Sequence, residues 1–153
     1  MKNLIGQFHI VPMIPPADIT TSATNTDVIH LAKYGHATIL IMTGTNTKGC
    51  TLTVEKCDNT TPSTHPAIAF NYRKMSTSDT WGALTAEDSA GLTIADADDN
   101  CVFAIEIDSA ELSAAYPYVR ACLSAPASGN NYIAALAILS PRYGQDIPQS
   151  AIV

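Results

Sequence analysis

The stretch ATILIMTGTNTKGCTLTVEKC, residues 37–57, reads as strand, polar turn, strand, with Gly44 and Gly49 bracketing the turn. That pattern predicts a β-hairpin. From Cys50 the period of two puts Cys50, Leu52 and Val54 on one face and Thr51, Thr53, Glu55 and Cys57 on the other. TLTVEK alternates as a strand does with one face in a core and one in solvent. ATILIM does not alternate, and neither does YIAALAIL at 132–139: both are apolar on both faces. Such strands belong in the middle of a sheet. A second sheet covers one of their faces, and the other is a candidate oligomer or partner surface. The alternative is that small alanines simply sit at the surface.

Working outward, short strand candidates fall at 7–12, 28–32, 37–43, 50–57, 67–74, 79–85, 91–95, 101–107, 116–124 and 132–140. Turn clusters separate them: TGTNTKG, DNTTPSTHP, ADADDN and SAPASGNN. Helix signals amount to one. Asp108 stands three residues before Glu111 as in a capping sequence, and Pro117 stops any helix soon after. The expected fold is all-β, an antiparallel β-sandwich of jelly-roll-like topology with at most one short helical turn. Residues 1–26 form an N-terminal arm or first strand and loop, 27–144 the sandwich, and 145–153 a C-terminal tail.

A chain of 153 residues is long enough to bury a sizeable core without disulfide or metal. Hydrophobic residues make up 46%, yet no run approaches the roughly 20 that a membrane span needs. The opening MKNLIGQFHIVPMIPP lacks the apolar core of a signal peptide, so export by its own signal is not expected. The formal charge is −6 and the longest basic feature is Arg73-Lys74, which argues against gripping a nucleic-acid backbone. Cys50, Cys57, Cys101 and Cys122 show no C-x₂-C pair and no zinc-finger spacing, and they read as small buried thiols.

Signals for chemistry fail at their strictest points. Asp96, Asp98 and Asn100 match the first, third and fifth positions of a calcium loop, but Cys101 stands where glycine is required and Ile107 where glutamate is. His30 and His36 flank Lys33-Tyr34-Gly35 and could meet across a hairpin, a weak metal pair without a third ligand. There is no G-x-S-x-G, no phosphate loop, and no basis for choosing a carboxylate pair among Glu55, Glu87, Glu106 and Glu111. No enzyme activity and no cofactor are expected. Trp81, beside Gly82 in a polar stretch, is the aromatic to watch as a ligand or partner contact.

Five stretches carry a resemblance: KYGHATILIMTG (33–44), GCTLTVEKC (49–57), AIAFNYRKM (67–75), FAIEIDSAELSAAYPYVRACLS (103–124) and YIAALAILSPRYG (132–144). In texture and order they resemble a family of small jelly-roll-like virion proteins of tailed bacteriophages, over roughly 28–144. The resemblance implies a capsid decoration or cement protein. Such a protein binds the outer head surface and bridges major capsid protein subunits, with self-association as a dimer or trimer. It would be made in the host cytoplasm and would contact neither nucleic acid nor membrane. Contacts would be expected in the ends of the chain, at Leu4, Ile5, Phe8, Ile10, Met13, Ile14, Ile147, Ile152 and Val153, and at Trp81. Rival readings are a tail or head–tail junction protein and a carbohydrate-binding β-sandwich for host adsorption.

Overall fold

A computed structural model describes residues 4–19, 22–76, 79–126, 128–143 and 151–152. Its strands are β1 (His9–Asp18), β2 (Thr24–Asn25), β3 (Ile29–His30), β4 (Tyr34–Asn46), β5 (Cys50–Cys57) and β6 (Ala67–Ile68). They continue with β7 (Phe70–Met75), β8 (Thr85–Glu87), β9 (Leu92–Ile94), β10 (Val102–Asp108), β11 (Tyr118–Leu123) and β12 (Asn131–Pro141). Two 3₁₀ turns, Leu31–Lys33 and Ser109–Glu111, complete the structure. The second is the turn expected at 108–111, with the Asp108 carboxylate accepting from the Ala110 N–H at 2.8 Å.

The first sheet has the order β1-β12-β4-β10-β7-β8; the second runs β2-β11-β5-β6, with β3 also on β11 and β9 on β5. Every pairing is antiparallel. The partners nest. First strand lies beside last, β2 and β3 beside β11, β4 beside β10, and β5 beside β6 and β9. That is a long hairpin rolled across two sheets, the jelly-roll order, with β7 and β8 added at the edge beyond β10.

The hairpin predicted at 37–57 is therefore overturned. β4 belongs to the first sheet and β5 to the second, so 47–49 is a crossing between layers. The reason lies in burial. Ile39 and Ile41 on β4, and Leu52 and Val54 on β5, are each 0% exposed and belong to one core between the sheets. The crossing is held from the far end of the chain. Asn131, fully buried, accepts from the N–H groups of Thr47 and Lys48 at 3.3 Å each and donates its amide to the Lys48 carbonyl. The strand expected at 67–74 also changes layer: β6 joins the second sheet and β7 the first, with Ala69 as the single residue between them.

The inward faces of β4, β5, β10, β11 and β12 supply most of the core, with Phe103, Ile105, Ile107 and Leu123 at 1% exposure or less. β1 contributes Val11, Met13 and Ile14. It is an edge strand carrying Pro12, Pro15 and Pro16, and its register on β12 slips between Pro12 and Ile14 and again between Ile14 and Ala17. A proline has no N–H to give a ladder, so such residues are tolerated only at an edge or bulge.

Candidate interaction surface

Because β4, β10 and β12 alternate about the sheet plane, their even-numbered residues face away from the core, apart from Tyr34 and Asn46 at the ends of β4, which are buried. The register aligns them in three cross-strand rows. One runs Ala134, Met42, Val102, Met75; the next Pro12, Leu136, Leu40, Ala104; the third Ile10, Ile138, Thr38, Glu106. An antiparallel sheet facing water normally turns polar residues outward. Here the first row carries no charge, the second meets a charge only at its β7 end, where Ala104 pairs with Arg73, and the third has a single carboxylate. Met42 is 39% and Tyr132 48% exposed, while Leu40, Leu136 and Ile138 are half-buried by their own neighbours.

One end of this face is polar. Glu106 accepts from Thr38 Oγ1 at 2.8 Å and lies 2.6 Å from His36 Nε2. The other end is concave. Pro16 and Ala17, at the bulged end of β1, with Met42, Gly44, Tyr132 and Ala134, border a cavity of ≈ 250 Å³. Gly44 keeps it tight, since a Cβ there would lie 3.0 Å from Tyr132 Cβ. The face thus has a largely apolar centre, a polar end at His36 and Glu106, and a dimple at the other end.

The contact residues expected from sequence scatter. Ile10 lies on this face. Phe8 is half-buried just before β1, and Leu4 and Ile5, 54% and 64% exposed, sit in a turn closed by N–H bonds from Gln7 and Phe8 to the Leu4 carbonyl. Met13 and Ile14 do not belong with them: at 4% exposure both are core residues, because β1 pairs with its own β12. Trp81, 40% exposed, is on the connection from β7 to β8. Ile152 is 41% exposed, next to a buried Ala151 whose carbonyl accepts from the His30 N–H at 2.9 Å. Ile147 and Val153 lie outside the described residues. The residues that sequence reasoning did not name, Leu40, Met42, Leu136 and Ile138, are the even-numbered halves of the two strands it found apolar on both faces.

The titratable clusters act as braces. On the outer side of the second sheet Glu55 and Arg120 are register partners, and Glu55 Oε2 accepts from Arg120 Nε and Nη2 at 2.8 Å each, with His65 Nδ1 at 3.0 Å. Burial alone would raise the Glu55 pKa, but the Arg120 hydrogen bond, with lesser help from Cys122 and His65, holds it below the usual range. Burial pushes the Cys57 thiol up to about 11 and Cys122, also beside the Glu55 carboxylate, up to about 12; Cys50 and Cys101 are raised as well. All four are free. A nucleophilic or metal-binding cysteine needs the opposite shift.

His30 and His36 do not meet. His30 stacks on Tyr118 in the second sheet at 4.5 Å between ring centroids, while His36 bonds Glu106 in the first. The acidic turn is an internal strut. Asp98 pairs with Lys74 and accepts from the Ala95 N–H at 3.0 Å, and Asp99 accepts from the Asn46 N–H at 2.6 Å. Among the described residues no group of three His, Cys, Asp or Glu lies close enough to hold a metal ion. A second cleft, of ≈ 280 Å³, has Leu31, Leu112 and Pro117 in its wall and Arg142 at its side, the guanidinium bound to the Tyr34 carbonyl and Ser109 Oγ at 3.0 Å each.

No family model matches the sequence, and no curated protein or solved structure matches it either. The chain is an antiparallel jelly-roll sandwich whose first sheet turns a largely apolar face outward.

Proposed function

We propose that this chain is a structural protein of a tailed-bacteriophage particle, a capsid decoration or cement protein that binds the outer head surface and stabilises the major capsid lattice. The observation that carries the reading is the apolar outer face of the first sheet, with its dimple beside Tyr132. The resemblance of the strand sequences supplies the phage part of it. A protein that works by contact needs surface rather than convergent acids and bases. The net charge of −6 suits an outward position, away from packaged DNA.

The mechanism is linkage. A protein that binds the assembled lattice and not free subunits shifts the equilibrium toward the shell by its binding free energy. A face of standard size buries about 800 Å² per partner. Repetition over a symmetric lattice then multiplies a modest stabilisation at each site.

The test is to purify particles containing the protein, quantify it against the major capsid protein, and image them. A copy number near one per capsid subunit, or a fixed fraction of it, with density on the outer shell is the expected result. About a dozen copies or fewer at one vertex would move the protein to the head–tail junction. Absence from particles would overturn the reading.

A further inference from the structure

We propose that segment 82–87, at the free edge of the first sheet, is a strand-addition site, and that it takes an extended strand bearing lysine or arginine from another protein. This goes beyond the apolar face described above and does not depend on a virion.

The segment is ordered without being packed. Of residues 79–90, all but the half-buried Glu87 are exposed, so the arm contributes almost nothing to the core. Hydrogen bonds hold it instead. Thr85, Ala86 and Glu87 pair with Tyr72, Asn71 and Phe70. Further along, the Gly82 N–H donates to the Lys74 carbonyl and Arg73 Nη1 to the Gly82 carbonyl, both at 2.9 Å. Gly82 permits that approach, because a Cβ there would stand 3.0 Å from the Lys74 oxygen. One side of a short ladder is thus satisfied, and among the described residues no strand pairs with the other.

Two other edges of the sandwich are guarded. β1 carries its three prolines and two register slips, and β3 is flanked by the Ala151 carbonyl on the His30 N–H. Prolines, bulges and lysines are the usual devices that blunt an edge. Segment 82–87 (Gly-Ala-Leu-Thr-Ala-Glu) has no proline and no lysine, and its pairing with β7 slips by one residue only between Gly82 and Thr85. It presents Leu84, 51% exposed, and at its start the chain's single tryptophan, Trp81.

Charge selects the occupant. Residues 79–90 include Asp79, Glu87 and Asp88 and no cation. The two cations of the neighbouring β7 are engaged, Arg73 on the Gly82 carbonyl and Lys74 on Asp98. A second copy would bring an equally acidic arm on a chain that also carries −6. A basic strand instead gains main-chain hydrogen bonds from the edge, apolar contact from Leu84 and Trp81, and pairing with Glu87 and Asp88.

Trp81 makes the test direct, since its emission reports this edge alone. The intact protein would be titrated with a blocked heptapeptide alternating valine and lysine, with its glutamate counterpart, and with the lysine peptide N-methylated at alternate amides. Expected are a saturable blue shift with the lysine peptide, binding weaker by about tenfold or more for the glutamate peptide, and loss of binding on N-methylation. The double variant Glu87→Lys/Asp88→Lys should reverse the preference between the two peptides. No emission change with either peptide, equal binding of both, or undiminished binding of the N-methylated form would overturn the proposal.

Discussion

Ile41→Ala and Leu40→Ala, made separately, probe the register that sends neighbouring residues of β4 to opposite sides of a sheet. Ile41 is 0% exposed, with Phe103 of β10 and Ala135 of β12 as its register partners. Leu40 lies between Leu136 and Ala104 on the outer face and is only half-buried. Truncating a fully buried isoleucine costs about 2–5 kcal/mol, because the lost transfer energy adds to an unfilled cavity. At the outer position no cavity forms and only part of the side chain leaves an apolar contact, so the cost is about 1 kcal/mol. In a domain of this size each kcal/mol moves the melting temperature by about 2–4 °C. Ile41→Ala is therefore expected to lower Tm by about 4–20 °C and Leu40→Ala by about 2–4 °C. Calorimetry and urea unfolding with an unchanged m-value would measure both. Under the proposed decoration role, Leu40→Ala should nevertheless weaken attachment to particles while Ile41→Ala, below its own melting temperature, should not. Equal stability costs at the two positions would refute the reasoning, because they would mean that the chain itself covers the outer face.

Three further outcomes follow from the braces and turns. Glu55→Gln should cost about 2 kcal/mol at neutral pH, since it weakens two charge-assisted bonds and leaves Arg120 without its counter-charge. The folded pKa of Glu55 lies below its ordinary 4.5, so this stabilisation is present above that value and fades as pH falls through the lower folded one. Wild-type and variant unfolding curves should converge in acid. Cys122, held up to about 12, should be ionised in about one molecule in ten thousand at pH 8. A thiol reagent should then react slowly with the native protein and rapidly with all four cysteines only in denaturant; fast native labelling would contradict this. Gly91→Ala should destabilise by about 3 kcal/mol by denaturant unfolding. Its φ is +91°, and the added Cβ would be driven into the Leu52 carbonyl oxygen and within 2.6 Å of Thr53 Cγ2.

Strand positions were legible wherever a run was strongly apolar, alternating or not, between turn residues. The segment 50–57 is β5 to the residue, and β10, β11 and β12 begin and end within two residues of their expected places. What local pattern does not encode is which sheet a strand joins. A polar turn between apolar strands looks alike whether it closes a hairpin or crosses layers. The 47–49 crossing is decided by Asn131, more than eighty positions away. The segment 79–85 reads as a strand of its own, but only Thr85 of it lies in β8, and Gly82 is held to β7 by its own N–H and carbonyl. For the candidate surface, two-sided apolarity marked the right strands. It could not separate the outer set from the inner, because a single residue of register exchanges them. Met13 and Ile14 were misplaced for a related reason: β1 is as apolar as an arm seeking a partner, and these two pack into the core because β1 pairs with its own β12.

The nesting of the strands sets an order on synthesis. Asp18 at the end of β1 accepts a hydrogen bond from the Asn131 N–H, a contact spanning 113 positions. On the ribosome the first strand made must therefore wait for the last before it can pair. Throughout that interval Val11, Met13 and Ile14 have no core to enter, and a nascent chain holding open an apolar segment is exposed to mispairing with its neighbours. The three prolines of β1 deny such neighbours a continuous ladder. They keep the strand available for β12, so the same residues that shape a finished edge also act as chaperones of the unfinished one.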